Sequence, residues 1–318
     1  MGNQVQEVQE GADLIITEVE KAIVGKTESI RMAVITLLCN GHLLLEDIPG
    51  VGKTTLAKAL AKSIGGEFKR LQFTPDLLPS DITGSSIYNQ RTTEFEFRAG
   101  PVFGNVVLVD EINRATPKTQ SSLLEAMEER QVTADGSTHL LPSPFFVIAT
   151  QNSVEMTGTY PLPEAQLDRF FARVSIGYPN REDEVRILEE QQVAAPLDDV
   201  RTVVDLLRLS HLQSIVRDLY VHESIRAFIV DIVRATRDSN QLHMGSSPRG
   251  SLFLMRAAQA HAAISGETKV RPDDVQLTAP SILGHRVMPR GELRGRQTTI
   301  EAVIAKIVET VPVPVGVA

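Results

Sequence analysis

Two short stretches of this 318-residue chain carry residue types suited to phosphate chemistry. In EDIPGVGKTTLAKAL (46–60), Gly50 and Gly52 permit a tight turn that aims backbone N–H groups inward, and Lys53 sets an ammonium beside them. Such a loop neutralises the β- and γ-phosphates of a nucleotide, with the Thr54 hydroxyl placed to bind Mg²⁺. The residues expected against the nucleotide are Gly50, Val51, Gly52, Lys53, Thr54 and Thr55. A strict phosphate-loop pattern asks for glycine where this chain has Asp47, and a turn residue tolerating an unusual φ is expected to substitute there.

The second stretch is VVLVDEINR (106–114), an apolar strand ending in two carboxylates. At the C-terminal edge of a sheet, Asp110 can hold Mg²⁺ through water and Glu111 can polarise the attacking water. A lone acidic pair more often just caps a strand, so the weight comes from its position downstream of the loop. In ATQNSVE (149–155) Asn152 would emerge at the same edge, placed to orient that water. Taken singly, Asn152, Arg169 in LDRF and Arg249 in SSPRGS read as ordinary turn and surface residues.

These groups must be held by a framework, and hydrophobic spacing supplies one. Ile30, Ala33, Val34, Leu37 and Leu38 predict a helix, residues 42–46 a short strand, and Ala57, Leu60, Ala61 and Ile64 a helix closed by Gly65 and Gly66. Apolar runs at 68–73, 106–110 and 145–150 predict strands buried on both faces, with a fifth at 173–176. Helices between them, TPKTQSSLLEAMEER and PEAQLDRF, argue an α/β fold with a parallel sheet covered on both sides. Residues 74–104 are too many for a simple connection and predict a structured insertion, and Asp135-Gly136 inside 131–141 predicts a β-hairpin. Beyond residue 178 the pattern is helical throughout. Three faces carry it: Val200, Val203, Val204 and Leu207; Ile225, Phe228, Ile229, Ile232 and Val233; and Ile300, Val303, Ile304, Ile307 and Val308. The tail VPVPVGVA is expected to fray or to dock as an extended strand.

Composition narrows the class. With 42% hydrophobic and 23% charged residues the chain reads as globular, and its length suits two domains. A net charge of −8 without basic blocks argues against phosphate-driven nucleic-acid binding. The single cysteine, Cys39, excludes an internal disulfide and reads as a small buried hydrophobe, while the seven histidines show no zinc-ligand spacing. No apolar run is long enough for a membrane span and no leader pattern opens the sequence, so a cytoplasmic location is expected.

The ordered strings EDIPGVGKT, QFTPDLLPSDITG, GPVFGNVVLVDEINR, TGTYPLPEAQLDRF and SPRGSLFLMRAAQAHA resemble the MoxR family of AAA+ ATPases over residues 20–290. The resemblance implies a P-loop NTPase αβα core followed by a smaller all-α lid, and a homo-oligomeric ring, usually hexameric. It divides the chain into residues 1–178, the core with an N-terminal helical segment, and 179–318, the lid with its tail. It makes 74–104 the helix-2 insertion and about 130–144 the pre-sensor hairpin shared with magnesium-chelatase subunits. By position, Asn152 matches sensor 1, Arg169 the arginine finger and Arg249 sensor 2, and Ile23, Val24 and Gly25 match the segment lining the adenine pocket. The cofactors implied are ATP and Mg²⁺. The implied partner is a protein client, such as a von Willebrand factor A domain protein or a metalloenzyme under maturation.

Three activities compete for these residues. A remodelling motor needs the complete hydrolytic set, Glu111 included, whereas a switch that binds nucleotide with little turnover has scant use for that carboxylate. A DNA translocase would want a basic hairpin tip, but here the tip reads Asp135, Ser137, Thr138 and His139.

Overall fold

The computed structural model describes residues 2–151, 158–193, 196–291 and 299–314. Two helices, α1 (Gly2–Glu20) and α2 (Thr27–Leu38), precede β1 (Leu43–Glu46) and α3 (Lys53–Ser63). Then come β2 (Phe68–Gln72), α4 (Pro79–Thr83), the pair β3 (Gly84–Asn89) and β4 (Glu94–Ala99), β5 (Val106–Asp110) and α5 (Pro117–Glu129). The pair β6 (Gln131–Ala134) and β7 (Ser137–Leu140), β8 (Phe146–Gln151), α6 (Glu164–Leu167) and β9 (Ala172–Val174) follow.

Strands β2, β5, β8, β1 and β9 form one parallel sheet in that order. Alternation on its strands explains the cover on both sides. Leu43, Leu45, Val106, Leu108, Phe146 and Ile148 face one core cluster, while Leu44, Val107, Val109, Val147 and Ala149 face the other. β2 departs from the expectation of a strand buried on both faces: it is an edge strand, and Arg70 and Gln72 remain exposed. Because the sheet is parallel, the ends of β1, β5 and β8 all open on one edge, where ligands of α/β sheets bind.

Both predicted decorations take hairpin form. The insertion is the short α4 and the β3–β4 hairpin, whose Phe97 stacks on His139 of β7 at 3.8 Å between ring centroids. In the β6–β7 turn Asp135 and Gly136 both take positive φ, 49° and 78°, as a two-residue hairpin turn of this chemistry requires.

The remaining elements are helical apart from one ribbon. They are α7 (Arg181–Val193), α8 (Leu206–Asp218), α9 (Glu223–Asp238), β10 (Leu242–Met244), α10 (Pro248–Ile264), α11 (Pro272–Leu283), β11 (Met288–Pro289) and α12 (Ile300–Thr310), with β10 and β11 paired antiparallel. The faces expected on α9 and α12 are present, with Ile225, Phe228, Ile229, Ile232, Val233, Val303, Ile304, Ile307 and Val308 buried. The third face is corrected. Asp205 caps α8 by accepting the Arg208 N–H, so Val200, Val203 and Val204 precede the helix, and Leu207 is 84% exposed. Val200 and Val204 are buried without a helix, the backbone N–H groups of Val203 and Val204 donating to the Ser63 carbonyl at the end of α3. Helix α1 packs against α3, α8 and α10, and joins the two halves in one apolar cluster. Arg173 of β9 adds an ionic tie, to Glu46 at 2.9 Å and to Glu301 of α12 at 2.5 Å. Of the tail, Val311 is buried and residues 315–318 lie outside the described residues. Cys39 is only partly buried; its thiol donates to the Arg256 carbonyl, and burial pushes its pKa up.

A buried histidine makes this fold sensitive to acid. His42 Nδ1 accepts the Val147 N–H at 3.0 Å and Nε2 faces the Met127 carbonyl at 3.2 Å, an arrangement that wants the neutral ring protonated on Nε2. Burial, then the Arg130 charge, holds its pKa well below the ordinary histidine range, and burial acts the same way on His285. The unfolded chain takes up a proton near pH 6.5 while the folded ring resists it. His42 therefore stabilises the fold fully above that pH and loses the contribution as pH falls, by up to about 1.4 kcal/mol per pH unit. Urea midpoints compared at about pH 7.5 and about pH 5.5 should drop for the wild type and drop less for His42→Gln, and equal drops would remove His42 from this role.

Candidate functional site

The loop after β1 has the geometry its glycines permit. Gly50 and Gly52 take φ of 86° and 94°, and a Cβ at Gly50 would meet nothing within 4 Å, which leaves the inside of the turn open. Gly52 is the N-cap of α3, so the first N–H groups of that helix face the same space. A cavity of about 400 Å³ lies there, lined among others by Lys53, Thr54, Thr55, Asp110, Glu111 and Thr150. Lys53 Nζ donates to the carbonyls of Asp47 at 2.8 Å and Ile48 at 3.0 Å. Desolvation pulls its pKa below that of free lysine, against the opposing charges of Asp47, Asp110 and Glu111. An ammonium whose hydrogen bonds among the described residues go to backbone carbonyls, beside an open turn, is a fitting partner for phosphate.

Asp47 does not play the part expected of it. Its φ is not among the positive values of the described residues, so it is no glycine mimic. It is buried, and its carboxylate accepts from Ser175 Oγ at 3.1 Å and from the N–H groups of Ile176 and Gly177. The side chain thus staples the start of the loop to the connector between β9 and α7. Asp47→Gly, which would complete the strict loop pattern, should cost about 2–4 kcal/mol of stability by leaving these donors unmet. Equal or higher stability of that variant in urea would dismiss the staple.

At the end of β5, Asp110 is buried with Oδ2 2.7 Å from Arg70 Nε and Oδ1 3.3 Å from Thr150 Oγ1. With both oxygens engaged, it suits a metal held through water, opposite the Thr54 hydroxyl on the same cavity. Glu111 adopts the left-handed conformation, φ 56° and ψ 52°, with its N–H bonded to Thr150 Oγ1 at 3.0 Å. One of its oxygens, Oε2, takes both Gln72 Nε2 at 2.9 Å and Arg114 Nε at 3.1 Å. Arg70, Gln72, Arg114 and Thr150 were not foreseen; Arg70, Gln72 and Thr150 come from the strands beside β5, which no local motif marks, whereas Arg114 lies three residues after Glu111 in the turn that follows β5.

The segment matched to the adenine pocket lies against the loop. Ile23 Cδ1 is 3.2 Å from where a Cβ on Gly52 would sit, Val24 is buried, and Val51 packs on the adjoining core. Gly25, at φ 71°, is required by space as well: a Cβ there would come within 1.9 Å of the Asp183 carboxylate. Neither Val24 nor Gly25 lines the cavity over the loop. Asn152, the residue after β8, lies outside the described residues.

Arg169 and Arg249 do not line that cavity either, and the structure brings them to each other instead. Arg169 Nε is 3.2 Å from Glu128 Oε2, and Arg249 Nη1, at the start of α10, is 3.3 Å from Glu128 Oε1.

A phosphate loop on the second strand from the sheet's edge, an acidic strand two places away and a helical lid on the same framework assign the chain to the AAA+ ATPases. Residues 42–172 match the ATPase family associated with various cellular activities (AAA), and residues 234–307 match the AAA lid domain. The chain is 50% identical over 300 residues to the uncharacterized protein YeaC of Bacillus subtilis strain 168, covering 94% of each. It is 42% identical over 309 residues to the chaperone MoxR1 of Mycobacterium tuberculosis, covering 94% of this chain and 81% of that one. Protein MoxR of Methylorubrum extorquens is 31% identical over 334 residues, 93% of each. A crystal structure of a Cytophaga hutchinsonii protein superposes with a TM-score of 0.90 at 36% identity, covering 98% of this chain and 97% of the other. The chain belongs to the MoxR family of AAA+ ATPases. Membership implies that it binds and hydrolyses nucleotide.

Proposed function

We propose that this chain is a Mg²⁺-dependent ATPase that works as a ring of subunits, hexameric in the usual family manner, to remodel a protein partner. The observation that carries the ATPase reading is the convergence of Lys53, Thr54, Asp110 and Glu111 on one cavity at the sheet edge. In this reading Gly50, Gly52 and Lys53 bind the phosphates, Thr54 and Asp110 hold the metal, and Glu111 activates water. Bound Mg²⁺ supplies charge neutralisation at the β- and γ-oxygens. Asn152 orients the water. The division into a core to residue 178 and a lid beyond it, and a cytoplasmic location, belong to the same proposal. Among the described residues no helix is long and apolar enough to cross a membrane.

The pairing of Arg169 with Arg249 on Glu128, away from the chain's own loop cavity, supports a role for both across a subunit interface. On that reading each subunit offers two guanidiniums to its neighbour's nucleotide. The client is a protein recognised outside the nucleotide site, for which a von Willebrand factor A domain protein or a metalloenzyme under maturation is the family-level expectation.

A second reading, a nucleotide switch with little turnover, draws on the hold that Gln72 and Arg114 have on Glu111. The test measures nucleotide binding and steady-state turnover together. Lys53→Ala should abolish ATP binding, since the lysine opposes several phosphate charges in a half-desolvated loop. Wild-type affinity in that variant would defeat the loop assignment. Tight binding by the wild type with negligible turnover, with Mg²⁺ present and the ring assembled, would favour the switch.

A further inference from the structure

Glu128 is the penultimate residue of α5 and has no place in the phosphate loop, the metal site or the water-activating set. Its two oxygens are nevertheless divided between two cations from different parts of the chain. Oε2 takes Arg169 Nε, from the turn after α6, and Oε1 takes Arg249 Nη1, from the first turn of α10. All three side chains are about one-third exposed, at 31% for Arg169 and 36% for Glu128 and Arg249, so the cluster is open to solvent.

The meeting of the two arginines is built into the fold. Arg286, in the turn after α11, is buried, and its Nε donates to Asp168 Oδ1 at 2.8 Å while Nη2 donates to the carbonyls of Asp168, at 3.1 Å, and Phe170. These partners flank Arg169 on both sides. The ring of Phe253, one turn along α10 from Arg249, lies under both guanidiniums, 4.8 Å from that of Arg286 and 5.5 Å from that of Arg249. A buried cation thus fastens the α10–α11 pair to the backbone that carries Arg169. What remains is the repulsion between two guanidiniums side by side, and a single carboxylate between them offsets it. Glu128 Oε2 meets Arg169 at Nε, 3.2 Å away.

We propose that Glu128 is a positioning residue of the assembled site, holding Arg169 and Arg249 as a pair so that both enter the neighbouring subunit's nucleotide site together. This rests on the reading above that the two arginines act across the interface. A misplacement of about 1 Å in a charge-stabilising group costs up to about 10²-fold in rate, so the pair needs such a spacer.

The test compares Glu128→Ala, Glu128→Gln and Glu128→Asp with wild type in steady-state ATP hydrolysis, with ring formation followed by sedimentation. Glu128→Ala and Glu128→Gln should assemble, lower kcat on the order of 10–100-fold and leave KM for ATP nearly unchanged, while Glu128→Asp recovers part of the loss. Subunit mixing then places the defect. Glu128→Ala mixed with Lys53→Ala should regain activity, because an intact loop can face an intact pair; mixed with Arg169→Ala it should not. Undiminished or increased turnover in Glu128→Ala rings overturns the proposal, as does recovery with Arg169→Ala or loss of activity only through failed assembly. If Arg169→Ala and Lys53→Ala complement each other while Glu128→Ala remains fully active, the trans reading stands and the spacer role alone falls. If mixed rings form and Arg169→Ala with Lys53→Ala regains nothing, the trans reading itself falls.

Discussion

Arg169→Ala is expected to bind ATP with near-native affinity and to hydrolyse it on the order of 10³–10⁵ times more slowly, the range of an arginine delivered to a transferring phosphoryl group. The expectation follows from where the residue sits. Its guanidinium does not line the chain's own loop cavity and meets Glu128 elsewhere, and in the proposed reading it reaches toward a neighbour. Binding survives because Lys53 and the first N–H groups of α3 remain in place. Hydrolysis by the wild type should rise in specific activity with protein concentration, in step with ring formation. Mixing Arg169→Ala with Lys53→Ala, each nearly inactive alone, should restore part of the rate as subunits exchange. Native turnover by Arg169→Ala would rule out the finger.

Glu111→Gln should keep ATP binding and lose turnover by a factor on the order of 10² or more, the scale of general acid–base effects. The carboxylate stands in a left-handed backbone conformation at the end of β5, uncommon for a residue other than glycine and pinned by the Thr150 hydroxyl. Replacing the carboxylate by an amide keeps that shape and removes the acceptor that would take a proton from water. Rapid-quench measurement of phosphate formation, which counts bound and free product alike, separates the cleavage step from product loss. Undiminished cleavage would take Glu111 out of the chemistry. The same variant, loaded with ATP, is the form to use for capturing a partner, because it should dwell in the nucleotide-bound state.

Much of the framework was legible from spacing alone, because a parallel sheet buries its strands on both faces and leaves short apolar runs that glycine and polar turns delimit. β1, β5 and β8, the Asp135-Gly136 turn, and the faces of α9 and α12 all follow from residue order. Gly50, Gly52, Lys53, Thr54, Asp110 and Glu111 were legible as a candidate set and line one cavity, since a phosphate-loop pattern and an acidic strand end are each built from consecutive residues. The sequence determined the chemistry a nucleotide would meet.

Tertiary structure decided what depends on partners distant in the chain. Asp47 reads locally as a turn residue, and only the return of β9 beside β1 gives its carboxylate three donors at residues 175–177. Val200, Val203 and Val204 have helical spacing, but the Asp205 cap and the Ser63 carbonyl hold them in a non-helical segment before α8. Gln72 and Arg70 reach the acidic pair only because β2 lies beside β5 at the edge. Arg169 and Arg249 are 80 residues apart in sequence and share a carboxylate through packing of the lid on the core, a relation that no local pattern encodes, since long-range contact is set by the summed burial of many elements.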